Sequence, residues 1–139
     1  MTRREKELVR ASFPVVREVA GPLSLLFYGR LFALAPAVRG MFHGDIEKQG
    51  TKLMEMLTVV VDCLDELDSM TPVLHAMGQR HVAYGVTARH YEFVAEAMVW
   101  ALGQALVMDS RSEVLAAWRQ MIGEVSEAMQ AGAAQVMVR

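Results

Sequence analysis

The stretch GQRHVAYG, residues 78–85, sets one histidine, His81, into an otherwise apolar helical pattern. A neutral imidazole offers a lone pair to a metal from one ring nitrogen, while the other donates a hydrogen bond that fixes the ring's orientation. Leu74, Met77, His81 and Tyr84 are spaced by three, four and three residues, which predicts all four on one helical face. If that face covers only side chains, His81 is a core histidine with a carbonyl or hydroxyl partner. If it covers a flat apolar cofactor, Nε2 can bind the metal while Nδ1 donates to a carbonyl of the preceding turn. The segment by itself admits both readings. His43, His75 and His90 read as surface or loop residues.

The elements that must position His81 are helical throughout, with no β-alternation of useful length. Residues 2–19 carry Leu8, Val9, Val15, Val16 and Val19 at helical spacing, with Pro14 predicting a kink or a late start. Gly21-Pro22 opens a second helix, which Ala35-Pro36 ends before a short helical turn to Met41-Phe42. Asp45 suits an N-cap, and a strong helix is expected from Ile46 to about Leu67, with Gln49, Leu53, Met56 and Val60 on one face. Ser69 or Thr71 can cap a segment over about 71–83 with Pro72 just inside it. Thr87 or Ala88 begins a helix through Leu106, and Asp109-Ser110 caps a last one from Arg111 to about Val136. The expected class is all-α, six to eight helices in one domain over residues 1–139.

Composition narrows the functions. With 53% hydrophobic residues, only 7% aromatic and 11 methionines, the chain is rich in flexible apolar side chains. These suit the lining of a pocket for a large apolar ligand, or simply stand in for leucine in a core. A net charge of −2 gives no electrostatic case for nucleic acid. The basic start TRREK lacks the apolar run of a signal peptide, and runs such as LTVVVDCL are too short to span a bilayer. The single cysteine, Cys63, reads as a small buried hydrophobe. The expectation is a soluble cytoplasmic protein.

PLSLLFYGRLFALAPAVRGMF, followed by Gln49 and Leu53 and then by GQRHVAYGVTARHY, resembles the globin family, in particular single-domain bacterial globins and the haem domains of flavohaemoglobins. The resemblance covers essentially the whole chain. It rests on Pro36 opening a short third helix, Phe42 six residues on, and one histidine 39 residues after that. It implies a globin fold enclosing haem b (iron protoporphyrin IX), with His81 as the proximal iron ligand and Phe42 stacked on the porphyrin. Gln49 matches the distal position, and Tyr28 matches a tyrosine that many bacterial globins point into the distal pocket. Leu53, Met56, Met77, Tyr84, Val86 and Val94 would line the cofactor. Lys52, and less directly Arg80, would lie near a haem propionate. Tyr91 matches a proximal tyrosine of flavohaemoglobins, but MQAGAAQVM in the last helix offers no equivalent of the glutamate that accompanies it there.

The same resemblance implies dioxygen, NO and CO as ligands. Bound dioxygen carries partial negative charge, and the Tyr28 hydroxyl and Gln49 amide can both donate to it. A hydrogen bond to a charged acceptor contributes ~1.5–3 kcal/mol, and ~1.4 kcal/mol is tenfold in affinity. Two donors would therefore slow oxygen release by a factor on the order of 100 or more, which suits tight binding or NO dioxygenation rather than unloading. Turnover would need an external reductase, since 139 residues leave no room for a fused one. Two other classes stay open: a haem-based sensor or partner-binding module, with the C-terminal AMQAGAAQVMVR as a helical extension for a homodimer, and a haem-free helical regulator.

Overall fold

The computed structural model describes residues 1–137, and among these it contains six α-helices, two 3-10 helices and no strand. The all-α expectation therefore holds, and the deviations lie at helix ends.

Helix α1 (Arg3–Glu18) begins at a capping box. The Thr2 hydroxyl accepts from the Glu5 amide at 3.1 Å, and the Glu5 carboxylate accepts from the Thr2 amide at 2.7 Å. Pro14 neither delays nor breaks this helix. It lies on the exposed side, where the carbonyl it leaves unpaired meets water, while Val9, Phe13 and Val16 anchor the opposite face in the core. A single residue, Val19, separates α1 from α2 (Ala20–Leu34), which buries Leu23, Phe27, Tyr28 and Leu31. A 3-10 helix (Pro36–Met41) follows, with its proline in the first turn.

Helix α3 (Ile46–Asp62) is capped by Asp45, whose carboxylate accepts from the Glu47 amide at 2.8 Å. It stops five residues short of the expected Leu67, and a 3-10 helix (Leu64–Met70) takes over. Arg10 and Lys6 of α1 hold Asp65 at 2.9 and 3.8 Å, which bends the chain toward α1 instead of letting it continue straight. Cys63, expected to be buried, is half-buried at the C-cap of α3 and free. Helix α4 (Thr71–Ala83) begins with Pro72 in its first turn and no side-chain cap. Helix α5 (Ala88–Leu106) has a capping box in which the His90 ring accepts from the Thr87 amide at 2.9 Å. Helix α6 (Glu113–Met137) starts two residues later than expected because Ser112, rather than Asp109 or Ser110, caps it, its hydroxyl accepting from the Leu115 amide at 3.1 Å. Val138 and Arg139, the last two residues of AMQAGAAQVMVR, lie outside the described residues.

Helix α6 is the spine. Its central Trp118 is fully buried, packs against Phe13 and donates from Nε1 to the Ser12 hydroxyl at 2.8 Å. Helices α1, α4 and α5 all pack on α6, while α2 packs on α5 and α3. The α4–α6 crossing is close because each helix has a glycine there. A side-chain carbon at Gly78 would collide with the Met129 carbonyl, and one at Gly132 with the His75 carbonyl. At the α2–α3 crossing, Gly50 lies against Ser24 and the edge of the Tyr28 ring in the same way. Consecutive helices α3 and α4 are not packed on one another. The region between them, bordered by Gln49 and Leu53 of α3 and by Met77 and His81 of α4, is the candidate cleft.

Candidate functional site

His81 sits in the last turn of α4, on one wall of this cleft. Its Nδ1 lies 2.6 Å from the Met77 carbonyl, which can only accept, so Nδ1 carries the proton and the Nε2 lone pair is directed away from the helix. The backbone beneath it is fixed as well, since the His81 carbonyl accepts from the Tyr84 and Val86 amides at 3.1 and 3.0 Å. Of the four residues expected on one face, Leu74 is buried in the core, Met77 and His81 are half-buried, and Tyr84 lies just past the end of α4, 60% exposed. Tyr84 therefore borders the cleft instead of continuing its wall, its ring edge-on to His81 at 5.7 Å.

The opposite wall comes from α2, α3 and the segment between them. Tyr28 is only 5% exposed and packs among the rings of Phe27, Phe32 and Phe42, with the Phe42 ring edge-on at 5.5 Å. Its hydroxyl forms no hydrogen bond among the described residues, and burial pushes its pKa up to about 12. It therefore remains a protonated donor at any ordinary pH. Gln49 lies in the first turn of α3 with Leu53 and Met56 four and seven residues on, so all three share a face, and all are half-buried. Lys52 is exposed, as is Arg80 across the cleft. Neither forms an ion pair among the described residues.

The floor is α5, where Tyr91 and Val94 are half-buried and packed against the core, and Val86 lies in the α4–α5 corner. The Tyr91 hydroxyl is enclosed and has no partner, and burial raises its pKa. Neither Glu124 nor Glu127 of α6 is hydrogen-bonded to it. Glu124 accepts from the N-terminal ammonium at 2.9 Å, and Glu127 is exposed.

The sequence reading missed several residues of this region. Phe32 stacks on Tyr28 at 6.0 Å and lies edge-on to Phe42 at 5.7 Å. Its position one helical turn beyond Tyr28 was the available signal. Met41 reaches the α4–α5 corner, where its methyl lies 3.8 Å from the side-chain position of Gly85, a residue with φ of 88°. Nothing in the sequence pairs those two positions, because the contact depends on how the chain turns after α2.

No group of three or more His, Cys, Asp and Glu side chains able to hold a bare ion occurs among the described residues. A metal at His81 must therefore bring its other ligands with it, as a macrocycle does. Half-buried apolar side chains on both walls suit the faces of such a ring, and the unpartnered Tyr28 hydroxyl suits a small polar ligand beyond it. The residues present fit a haem.

Comparison with known proteins agrees. The Globin family model matches residues 25–129. Neuroglobin-1 of Oncorhynchus mykiss is 29% identical over 95% of this chain and 92% of its own length. A flavohaemoprotein of Bacillus anthracis is 25% identical over 92% of this chain, which spans only 32% of that longer protein. Among solved structures, an engineered carbene transferase, derived from a candidate nitric oxide dioxygenase of Rhodothermus marinus, superposes with a TM-score of 0.87 at 26% identity, covering 99% of this chain and 96% of that one. A bacterial globin from Campylobacter jejuni gives 0.85 at 21% identity over 99% and 100% of the two chains. No helix among the described residues is long and apolar enough to cross a membrane. With the family model matching most of its length and the helices of known globins superposing on nearly all of it, the chain belongs to the globin family.

Proposed function

We propose that residues 1–139 form one globin domain that binds haem b through His81 and holds dioxygen tightly through Tyr28 and Gln49, with NO dioxygenation as its reaction when an external reductase is available. The observation that carries this reading is the pairing across the cleft. His81 has its Nδ1 held by the Met77 carbonyl and its Nε2 free, and the largely buried Tyr28 carries a hydroxyl without a partner among the described residues; in this reading the two lie on opposite sides of the cofactor. A bound haem would supply the gas-binding position and one electron, dioxygen would be the oxidant that converts NO to nitrate, and the external reductase would return the electron. The chain supplies the rest. Tyr28 and the Gln49 amide donate to the partial negative charge on the bound gas. Phe42, Leu53 and Met56 exclude water from it, with Met77, Val86 and Val94 enclosing the ring on the proximal side. Lys52 and Arg80, exposed and without an ion pair among the described residues, would meet the propionates. Tyr91 has no carboxylate partner, so His81 is tuned by the Met77 carbonyl alone and a peroxidase-like push is not expected. The relative described as a candidate nitric oxide dioxygenase supports the reaction class. A cytoplasmic setting completes the proposal, because there the half-buried Cys63 stays reduced.

The deciding experiment is the absorption spectrum of the reduced protein with and without CO. A Soret band that sharpens and shifts on adding CO is expected. Haem-reconstituted protein with no Soret band, or with one identical in the His81→Ala variant, would refute the assignment.

A further inference from the structure

The sides of α2 and α5 turned away from the cleft carry a separate cavity of about 400 Å3. Arg30 of α2, Trp100 and Glu96 of α5, Met108 of the following loop, and Leu115 and Arg119 of α6 line it. The Arg30 guanidinium lies over the Trp100 ring, 5.1 Å from its centroid. Its Nε is enclosed and lacks any hydrogen-bond partner. Neither Arg30 nor Arg119 has a carboxylate within ion-pairing distance among the described residues, although Glu96 lines the same cavity. The Arg30 Nε is enclosed without a partner and the exposed Arg119 guanidinium lies at the rim, so an anion in the cavity would meet N–H donors that nothing else occupies.

The backbone beside the cavity is strained. Val107 adopts φ 52° and ψ 54°, a left-handed conformation that β-branched residues avoid, and its side chain is 90% exposed, so no packing of its own accounts for it. What the strain achieves is local. It turns the chain back so that the Met108 amide bonds the Gly103 carbonyl at 2.9 Å, and Gly103 leaves room for the Met108 carbonyl and Leu115. Met108 is thereby held as a wall of the cavity.

We propose that this cavity binds a small planar carboxylate, its anionic end on Arg30 and Arg119 and its flat apolar body between Met108, Leu115 and the Trp100 edge. An arginine receives a carboxylate on two parallel N–H groups, and a turn of the Arg30 guanidinium over the Trp100 face brings its unused Nε–H edge to the ligand. A phosphate dianion is disfavoured by the apolar lining and by repulsion from Glu96, whereas a monoanion with an apolar body suits the lining and meets about half that repulsion. The proposal does not depend on the haem reading, because the cavity shares no residue with the cleft.

Isothermal titration calorimetry on the full chain tests it, in the reduced, CO-saturated state so that no iron position is open to the anion. Benzoate is the probe and benzyl alcohol its uncharged counterpart. Benzoate is expected to bind at least tenfold more tightly than benzyl alcohol. Arg30→Met is expected to weaken benzoate at least tenfold while leaving the CO-bound spectrum unchanged. Arg119→Met, at an exposed position, gives the same reading if the first variant folds poorly. No measurable binding of benzoate, equal binding of the two probes, or indifference to the arginine substitutions would overturn the proposal.

Discussion

Replacing Tyr28 with phenylalanine removes one oxygen atom and little else. The ring keeps its contacts with Phe27, Phe32 and Phe42, and the hydroxyl has no partner among the described residues to leave stranded. Deleting a hydroxyl that makes no hydrogen bond within the protein is close to neutral for stability. The effect on a bound gas is different. A donor to a partly charged acceptor is worth ~1.5–3 kcal/mol, which at ~1.4 kcal/mol per decade predicts oxygen dissociation faster by a factor of about 10–150. Stopped-flow release of oxygen, with urea unfolding of the same samples, separates the two consequences. The titration adds a third. The folded pKa of about 12 lies above the usual 10.0, so the unfolded chain loses this proton first. Stability is therefore full below about pH 10 and falls as the pH rises toward about 12, and the variant should lose less over that window. If oxygen release is unchanged while the fold is intact, Tyr28 does not donate to the bound gas and the tight-binding reading fails.

Three further outcomes follow from packing. Ser12→Ala strands the buried Trp118 Nε1–H and should cost ~1–3 kcal/mol in urea unfolding. An unchanged midpoint would mean that water replaces the hydroxyl. Gly78→Ala forces α4 away from the Met129 carbonyl and should lose ~1–3 kcal/mol or more. It should also alter CO rebinding, whereas an alanine at Gly29, where nothing lies near, should leave CO rebinding unchanged. Tyr91→Phe removes an enclosed hydroxyl without a partner, so neither stability nor the reduced spectrum should suffer. A loss of more than about 1 kcal/mol would reveal a partner, such as a bound water.

The parts of this fold that were legible in the sequence are those written locally. Asp45 before an apolar period, Pro36 and Pro72 at first turns, and the spacing from Gln49 to Met56 each act within one or two helical turns. The premature end of α3 was not legible, because the residues that bend the chain at Asp65 are Lys6 and Arg10, far away in sequence. Pro14 misled for a related reason. Its cost depends on which side of the helix faces water, and that is decided by the partners of Val9, Phe13 and Val16. At the candidate site, the His81 face could be read from spacing, but the choice between core histidine and ligand could not. That choice depends on what covers the face, which no local pattern encodes. Tyr84 shows the limit of periodicity itself, since the helix ends one residue before the spacing would have used it.

The wall that carries His81 is mounted mainly on α6, with a smaller contact to the 3-10 helix before α4. Helix α4 is joined to α6 at Gly78 and Gly132 and has no brace from α3. A helix rises about 1.5 Å per residue, so a slip of a fraction of a residue along that seam would move Nε2 by a few tenths of an ångström toward or away from the ring plane. Small volume changes at Met129 or Ala133, which never touch a ligand, would act as a fine adjustment of ligand affinity. Such a chain can retune its chemistry through substitutions in its last helix while every residue facing the gas stays the same.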